Sequence, residues 1–288
     1  PEQHERDLRQ WDEDHERDAQ AGRHDHDRFD DDPGVMSSAD VLHRLVGMTQ
    51  ALASPVEDLV ILAEGNTSAA VGEGAFWVKA SGCSMVGIQP SQFVLLDRDA
   101  LCAAISGPTL NDGEARALLN GSRVDPECPE VPSTEALMHA WLLSLPGVGY
   151  VGHTHPTPLL GLLCVESARR WAGERLFPDE VVCCGPRSCF VDYVAPGFPL
   201  AVAIATAVTT FREDVGIVPK TLWLANHGLI ALGATPEEVL SASRMTVKAA
   251  RARVAALAAG EPVRALTAAE TDFIYRWPDE HFRQQRLF

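Results

Sequence analysis

Aliphatic side chains are almost absent from the first 35 residues. They then set in at Val41, Leu42, Leu45, Val46 and Met48, a spacing that predicts a helix opened by Ser38-Ala39-Asp40. Short apolar runs follow at Leu59-Val60-Ile61-Leu62, Ala75-Phe76-Trp77-Val78-Lys79 and Phe93-Val94-Leu95-Leu96, and each reads as a strand. Residues 107–132 are rich in Gly, Pro, Asn and Asp and read mostly as loop, with a short element over Glu114–Leu119. A helix is expected to begin at Ser133, because Leu137, Met138, Trp141, Leu142 and Leu145 form an apolar stripe behind Pro132-Ser133-Thr134-Glu135. Further strands are expected over Val148–His155, Val181–Cys184 and Thr221–Leu232. Thr235-Pro236-Glu237-Glu238 then opens a long alanine-rich helix, with a capping threonine, proline at its first position and acids in its first turn. Strands and helices interleave along the chain, which predicts a layered α/β domain without solenoid repeats.

Charge separates the opening segment from the rest. Residues 1–35 carry 13 acidic and 5 basic side chains, half of the net charge of −16, and the first methionine is Met36. So polar a segment cannot bury enough apolar surface to offset its ordering entropy, and it reads as a disordered acidic tail before a domain over 36–288. Acidity in both parts argues against nucleic acid or an anionic membrane as a partner. No secretory or membrane-spanning segment is apparent: the most continuous apolar run, Leu200 to Val208, falls well short of the ~20 residues a membrane helix needs and reads as buried. Seven cysteines without a Cys-x-x-Cys pair fit reduced, cytosolic thiols, and Cys183-Cys184 fits small hydrophobes on a buried strand.

Candidate chemistry begins with Gly149-Tyr150-Val151-Gly152-His153-Thr154-His155-Pro156. A strand turns alternate side chains to one face, so His153 and His155 share a face with Cα atoms about 6.6 Å apart, close enough to meet on one metal ion. Two histidines capping a strand explain the pattern equally simply. His227, in Asn226-His227-Gly228, interrupts an apolar strand, and the glycine after it permits a kink that aims the ring. Glu135 is favoured in a first turn by the helix dipole, and the same position suits a general acid and base beside a metal. His139, four residues on, reads as a helix-surface residue. Gly65-Asn66-Thr67-Ser68 and Lys79-Ala80-Ser81-Gly82 are ordinary turns by composition, yet glycine with neutral donors also makes a nest for an anion.

Taken in order, Gly65-Asn66-Thr67-Ser68, Lys79-Ala80-Ser81-Gly82, Pro132-Ser133-Thr134-Glu135, His153-Thr154-His155 and Asn226-His227-Gly228 resemble the class II aldolase/adducin family, from about Met36 to about Leu257. That family includes fuculose- and rhamnulose-1-phosphate aldolases, ribulose-phosphate 4-epimerase and methylthioribulose-1-phosphate dehydratase. The resemblance implies a three-layer α/β/α sandwich, a cytoplasmic homotetramer with sites at subunit interfaces, and a phosphorylated sugar as substrate. It implies Zn²⁺ held by His153, His155 and His227, and Glu135 as acid/base. Gly65, Asn66, Ser81, Gly82, Ser133 and Thr134 would hold the substrate phosphate.

The expected activity is reversible aldol cleavage of a ketose 1-phosphate to dihydroxyacetone phosphate and an aldehyde. Dehydration of a ketose 1-phosphate and a non-catalytic, adducin-like assembly role are the alternatives. Aldolases of the family use a tyrosine downstream of the paired histidines as a second proton donor. Cys164–Pro186 contains none, and Tyr193 lies farther along. Epimerases of the family carry aspartate where Glu135 stands.

Overall fold

The computed structural model describes residues 36–279; the expected acidic tail over 1–35 lies outside the described residues. The chain opens with α1 (Ser38–Leu52), capped by the Ser37 hydroxyl, which accepts from the Asp40 amide. Strands β1 (Asn66–Val71), β2 (Ala75–Lys79) and β3 (Phe93–Asp97) follow, then helices α2 (Arg98–Ile105), α3 (Asp112–Gly121) and α4 (Ala136–Leu143). After β4 (Tyr150–Thr154) come three short helices, α5 (Thr157–Leu163), α6 (Ala168–Ala172) and α7 (Pro178–Cys184). The chain continues through β5 (Cys189–Val191), α8 (Phe198–Val215), β6 (Thr221–Leu224), β7 (Gly228–Gly233), α9 (Pro236–Ala258) and α10 (Ala268–Arg276).

The strands form one seven-stranded sheet in the order β3-β2-β1-β4-β7-β6-β5, antiparallel except for the β5–β6 pair. Alternation along the strands loads both faces. Phe76, Val78, Val94, Leu96, Val151, Ile230 and Leu232 pack with side chains of α2, α4 and α8. Ala69, Val71, Ala75, Phe93, Leu95, Tyr150 and Ala231 pack with Leu45, Met48 and Leu52 of α1 and Val239 and Ala242 of α9. The result is the expected three-layer α/β/α sandwich, each large buried side chain contributing roughly 1.5–3 kcal/mol.

Several local expectations change. The one strand expected over Thr221–Leu232 is two, β6 and β7, paired antiparallel across a turn. Leu59–Leu62 is not a strand: Leu59 is buried, but Ile61 and Leu62 are exposed and Leu62 takes φ 52°. Val181–Cys184 is helical, because Pro178 at the helix start and Asp179 and Glu180 in the first turn outweigh the apolar run, and Gly185 at φ 77° ends it. The short element over Glu114–Leu119 is a full helix, α3, closed at its start by a reciprocal cap between Asn111 and Glu114. Asn66-Thr67-Ser68, read as a turn, begins β1, since its polar side chains all find buried partners. All seven cysteines are free thiols, and no described helix is long and apolar enough to cross a membrane.

Candidate functional site

Three elements of the sheet converge at one end of β4. His153 sits on that strand, fully buried, in register between Asn66 of β1 and Ile230 of β7. His155 lies just past the strand, its amide donating to the Leu59 carbonyl at 2.8 Å. His227 belongs to the turn between β6 and β7, where Asn226 takes φ 53°, a conformation asparagine tolerates better than most residues. Gly228 is required next to it: a Cβ there would stand 2.5 Å from the Thr154 carbonyl oxygen and 2.7 Å from His155 Cδ2. Gly65 plays a similar part, at φ 73° with space for a Cβ denied by the His153 carbonyl oxygen at 2.7 Å.

The three rings meet through their Nε2 atoms, His153 to His155 at 3.1 Å and His153 to His227 at 3.3 Å. Ligand nitrogens around a tetrahedral ion with bonds of about 2.0–2.1 Å stand about 3.3 Å apart, so the spacing matches a metal site. The tautomer of His153 is set by its Nδ1–H, which donates to the Leu229 carbonyl at 2.9 Å and turns the Nε2 lone pair inward. Burial, reinforced by His155 and His227, holds His153 well below the usual histidine range. Burial also lowers His227, against the opposing pull of Glu135. Neutral imidazoles with lone pairs facing one another repel unless a cation lies among them. The donor set therefore fits a divalent ion, and it is the one such group of three or more histidine, cysteine or acidic side chains among the described residues.

Glu135 forms the N-cap of α4 and is almost buried, its Oε2 3.6 Å from His153 Nε2 and its Oε1 3.5 Å from His227 Nε2. Asn66 Nδ2 donates to Glu135 Oε2 at 2.7 Å and to Ser133 Oγ at 3.4 Å. The helix thus begins three residues later than Ser133, whose hydroxyl accepts from the Glu135 amide at 3.3 Å. A bridge between Ala80 and Pro132, and the Ser81 amide on the Val131 carbonyl at 2.8 Å, lay the Ser81-Gly82 turn beside Ser133-Thr134. Ser81 and Thr134 line one cavity of about 540 Å³ with Arg116 and Arg123, while Asn66 and Ser133 are buried against Glu135. Gly82 is exposed at φ 76°.

Two residues of the site escape the sequence pattern. Glu64, immediately before Gly65, accepts from His155 Nδ1 at 3.2 Å. His139, expected on the helix surface, is fully buried: Ser68 Oγ meets its Nδ1 at 2.6 Å and its Nε2 bonds Asn66 Oδ1. The three tyrosines stand apart. Tyr150 packs in the core on the α1/α9 side, Tyr193 is exposed, and Tyr275 lies on α10.

The family model described as Class II Aldolase and Adducin N-terminal domain matches residues 45–254. Among curated proteins, the chain is similar to "Uncharacterized oxidoreductase YuxG" of Bacillus subtilis, 29% identical over 181 residues. That match covers 60% of this chain but only 24% of the relative, so the chain spans about a quarter of the protein it resembles. Among solved structures, an L-fuculose 1-phosphate aldolase aligns with a TM-score of 0.62 at 21% identity, covering 88% of this chain and all of that one. The N-terminal class II aldolase domain of a conserved protein from Thermoplasma acidophilum aligns with a TM-score of 0.61 at 22% identity, over 76% of this chain and 95% of that one. At these identities the structural likeness establishes the fold.

Proposed function

The chain belongs to the class II aldolase/adducin family, and from that premise we propose that it is a zinc-dependent lyase cleaving a ketose 1-phosphate reversibly to dihydroxyacetone phosphate and an aldehyde. The observation that carries the reading is the meeting of three imidazole Nε2 atoms beside the Glu135 carboxylate. His153, His155 and His227 would hold the ion, and an ion bound there supplies a Lewis acid that polarises the substrate carbonyl and offsets developing negative charge.

Glu135 moves the proton to and from the substrate carbon. Its Oε2 is occupied by the Asn66 amide, so Oε1 is the oxygen that takes and returns that proton. Gly65, Asn66, Ser81, Gly82, Ser133 and Thr134 fix the phosphate, and with it the position of the reacting carbon. We assign the working form as a cytoplasmic homotetramer, in keeping with the resemblance. Dehydration of a ketose 1-phosphate is the second reading, favoured by one observation: the hydrogen-bond and ion-pair partners of Glu135 and the three histidines among the described residues include no tyrosine. A purely structural, adducin-like role would leave three converging imidazoles and a partnered carboxylate without a purpose.

The test is to incubate zinc-loaded protein with dihydroxyacetone phosphate and a series of small aldehydes, and separately with ketose 1-phosphates. A new ketose 1-phosphate supports the aldolase. Water loss from a ketose 1-phosphate without any condensation assigns the dehydratase, and neither reaction from metal-replete protein overturns the lyase reading.

A further inference from the structure

His139 lies on α4 one helical turn beyond Glu135, so both side chains leave the helix on one side. Asn66 and Ser68, two apart on β1, likewise share a face of the sheet. Between these two faces runs a chain of hydrogen bonds: Ser68 Oγ with His139 Nδ1 at 2.6 Å, His139 Nε2 with Asn66 Oδ1, and Asn66 Nδ2 with Glu135 Oε2 at 2.7 Å. Burial pushes His139 down to about 3, so the ring is neutral and carries a single N–H.

The direction of every link follows from the last. An ionised carboxylate only accepts, so Asn66 must turn its NH₂ to Glu135 and its oxygen to His139. That oxygen needs an N–H on Nε2, which leaves Nδ1 to accept from the Ser68 hydroxyl. A flipped Asn66 would set its oxygen against the Glu135 carboxylate, a repulsion in a dry interior. A buried neutral imidazole has one acceptor and one donor to satisfy, Nδ1 on the Ser68 hydroxyl and Nε2–H on Asn66 Oδ1. The second bond ends, through one amide, on the group that handles the proton.

We propose that His139 is a positioning residue: it locks the Asn66 amide in the one orientation that donates to Glu135 Oε2, and so leaves Oε1 as the oxygen presented to the substrate carbon. This rests on the reading of Glu135 as acid/base. A carboxylate free to rotate presents either oxygen and loses its near-attack geometry, a fault that costs on the order of 10²-fold in rate.

The experiment follows deuterium entering dihydroxyacetone phosphate in D₂O by NMR, with zinc-loaded wild type, Glu135→Gln, His139→Leu, His139→Gln and His139→Phe, each with metal content and melting temperature measured. Glutamine can place an N–H near the position of Nε2, so it should restore what leucine removes. Expected results are exchange by wild type, none by Glu135→Gln, a loss of about 10²-fold in maximal rate for His139→Leu with half-saturation changed less than about twofold, and recovery to within about tenfold of wild type in His139→Gln. No exchange by wild type, or full exchange by Glu135→Gln, overturns the acid/base reading itself. Exchange by folded His139→Leu at the wild-type rate overturns the positioning role alone, as does His139→Gln no faster than leucine with metal and fold intact. If His139→Leu does not fold, His139→Phe decides, because it keeps a planar ring and removes the Nε2–H that donates to Asn66 Oδ1. A wild-type rate there overturns the proposal.

Discussion

Glu64 Oε2 lies 3.2 Å from His155 Nδ1, while its Oε1 accepts the Ile61 amide at 2.6 Å. The carboxylate therefore ties the ring to the loop before β1. It accepts from Nδ1–H, fixes the tautomer that turns Nε2 toward His153, and makes that nitrogen a stronger metal ligand. His155 lies beyond the regular strand, so this contact does for it what the Leu229 carbonyl does for His153. Glu64→Ala should weaken divalent-metal affinity 10- to 100-fold while leaving the fold intact. Competition against a chromophoric chelator measures this, and an affinity equal to wild type removes Glu64 from the site.

Metal content tests the histidines directly. Purified protein should carry close to one divalent ion per chain, with zinc preferred by an all-imidazole donor set. His227→Ala should lose it, because two imidazoles rarely hold zinc tightly. Elemental analysis finding equal metal in wild type and His227→Ala contradicts the assignment.

Strands β2, β3 and β4 and helices α1 and α9 were legible in the sequence: the strands as short apolar runs, the helices by a hydrophobic period with start signals such as Ser38-Ala39-Asp40 and Thr235-Pro236. An apolar run of four carries no period, and the same signal that marked β3 misled twice. Leu59–Leu62 and Val181–Cys184 look alike on that score, and only Pro178 and Gly185 distinguish the second as a helix. The three metal histidines and Glu135 were visible as motifs. Glu64 and His139 were not, for a physical reason: their roles come from contacts across the fold, separated from their partners by 91 and 73 positions. No local pattern encodes such a contact. The one available hint was that buried β1 begins with three polar residues, which demand partners from somewhere.

Acid should destabilise the metal-free protein through its buried histidines. His139 titrates near 6.5 in the unfolded chain and at about 3 in the folded one, so between those values the unfolded state binds the extra proton. Its stabilising contribution is complete above about pH 6.5 and is lost as pH falls toward 3, at roughly 1.4 kcal/mol per pH unit. His153, also held low, acts in the same sense. Urea unfolding of chelator-treated protein at pH 7 and pH 5 should differ by about 2 kcal/mol or more, and His139→Gln should flatten that dependence. An identical slope in the variant contradicts the buried, neutral His139.

Gly228→Ala should separate the rings while leaving all three histidines in the sequence. The new Cβ meets the Thr154 backbone oxygen at 2.5 Å, and backbone cannot give way as a flexible side chain can. Overpacking of this kind costs about 1–3 kcal/mol, and here the displaced atoms belong to the strand end that carries His153 and His155. The variant should melt lower and hold less metal than wild type at equal free zinc. Wild-type metal affinity would show that the turn's close approach is not what gathers the imidazoles.

Ser81 and Asn66 were both expected to hold substrate phosphate, but their surroundings predict different kinetics. Ser81 is exposed and opens on a cavity shared with Thr134, Arg116 and Arg123, so its contact with an anion would be made in ground state and transition state alike. Ser81→Ala should therefore raise KM for a phosphorylated substrate several-fold with kcat little changed, and weaken competition by inorganic phosphate. Asn66 is buried with its amide on Glu135 Oε2, so its loss frees the carboxylate as well as any phosphate contact. Asn66→Ala should lower kcat by at least about tenfold, beyond whatever it does to KM. Steady-state kinetics of the two variants side by side separates the roles. A pure KM effect at Asn66 would place its amide on the phosphate instead of on Glu135, and a pure kcat effect at Ser81 would remove that hydroxyl from the anion site.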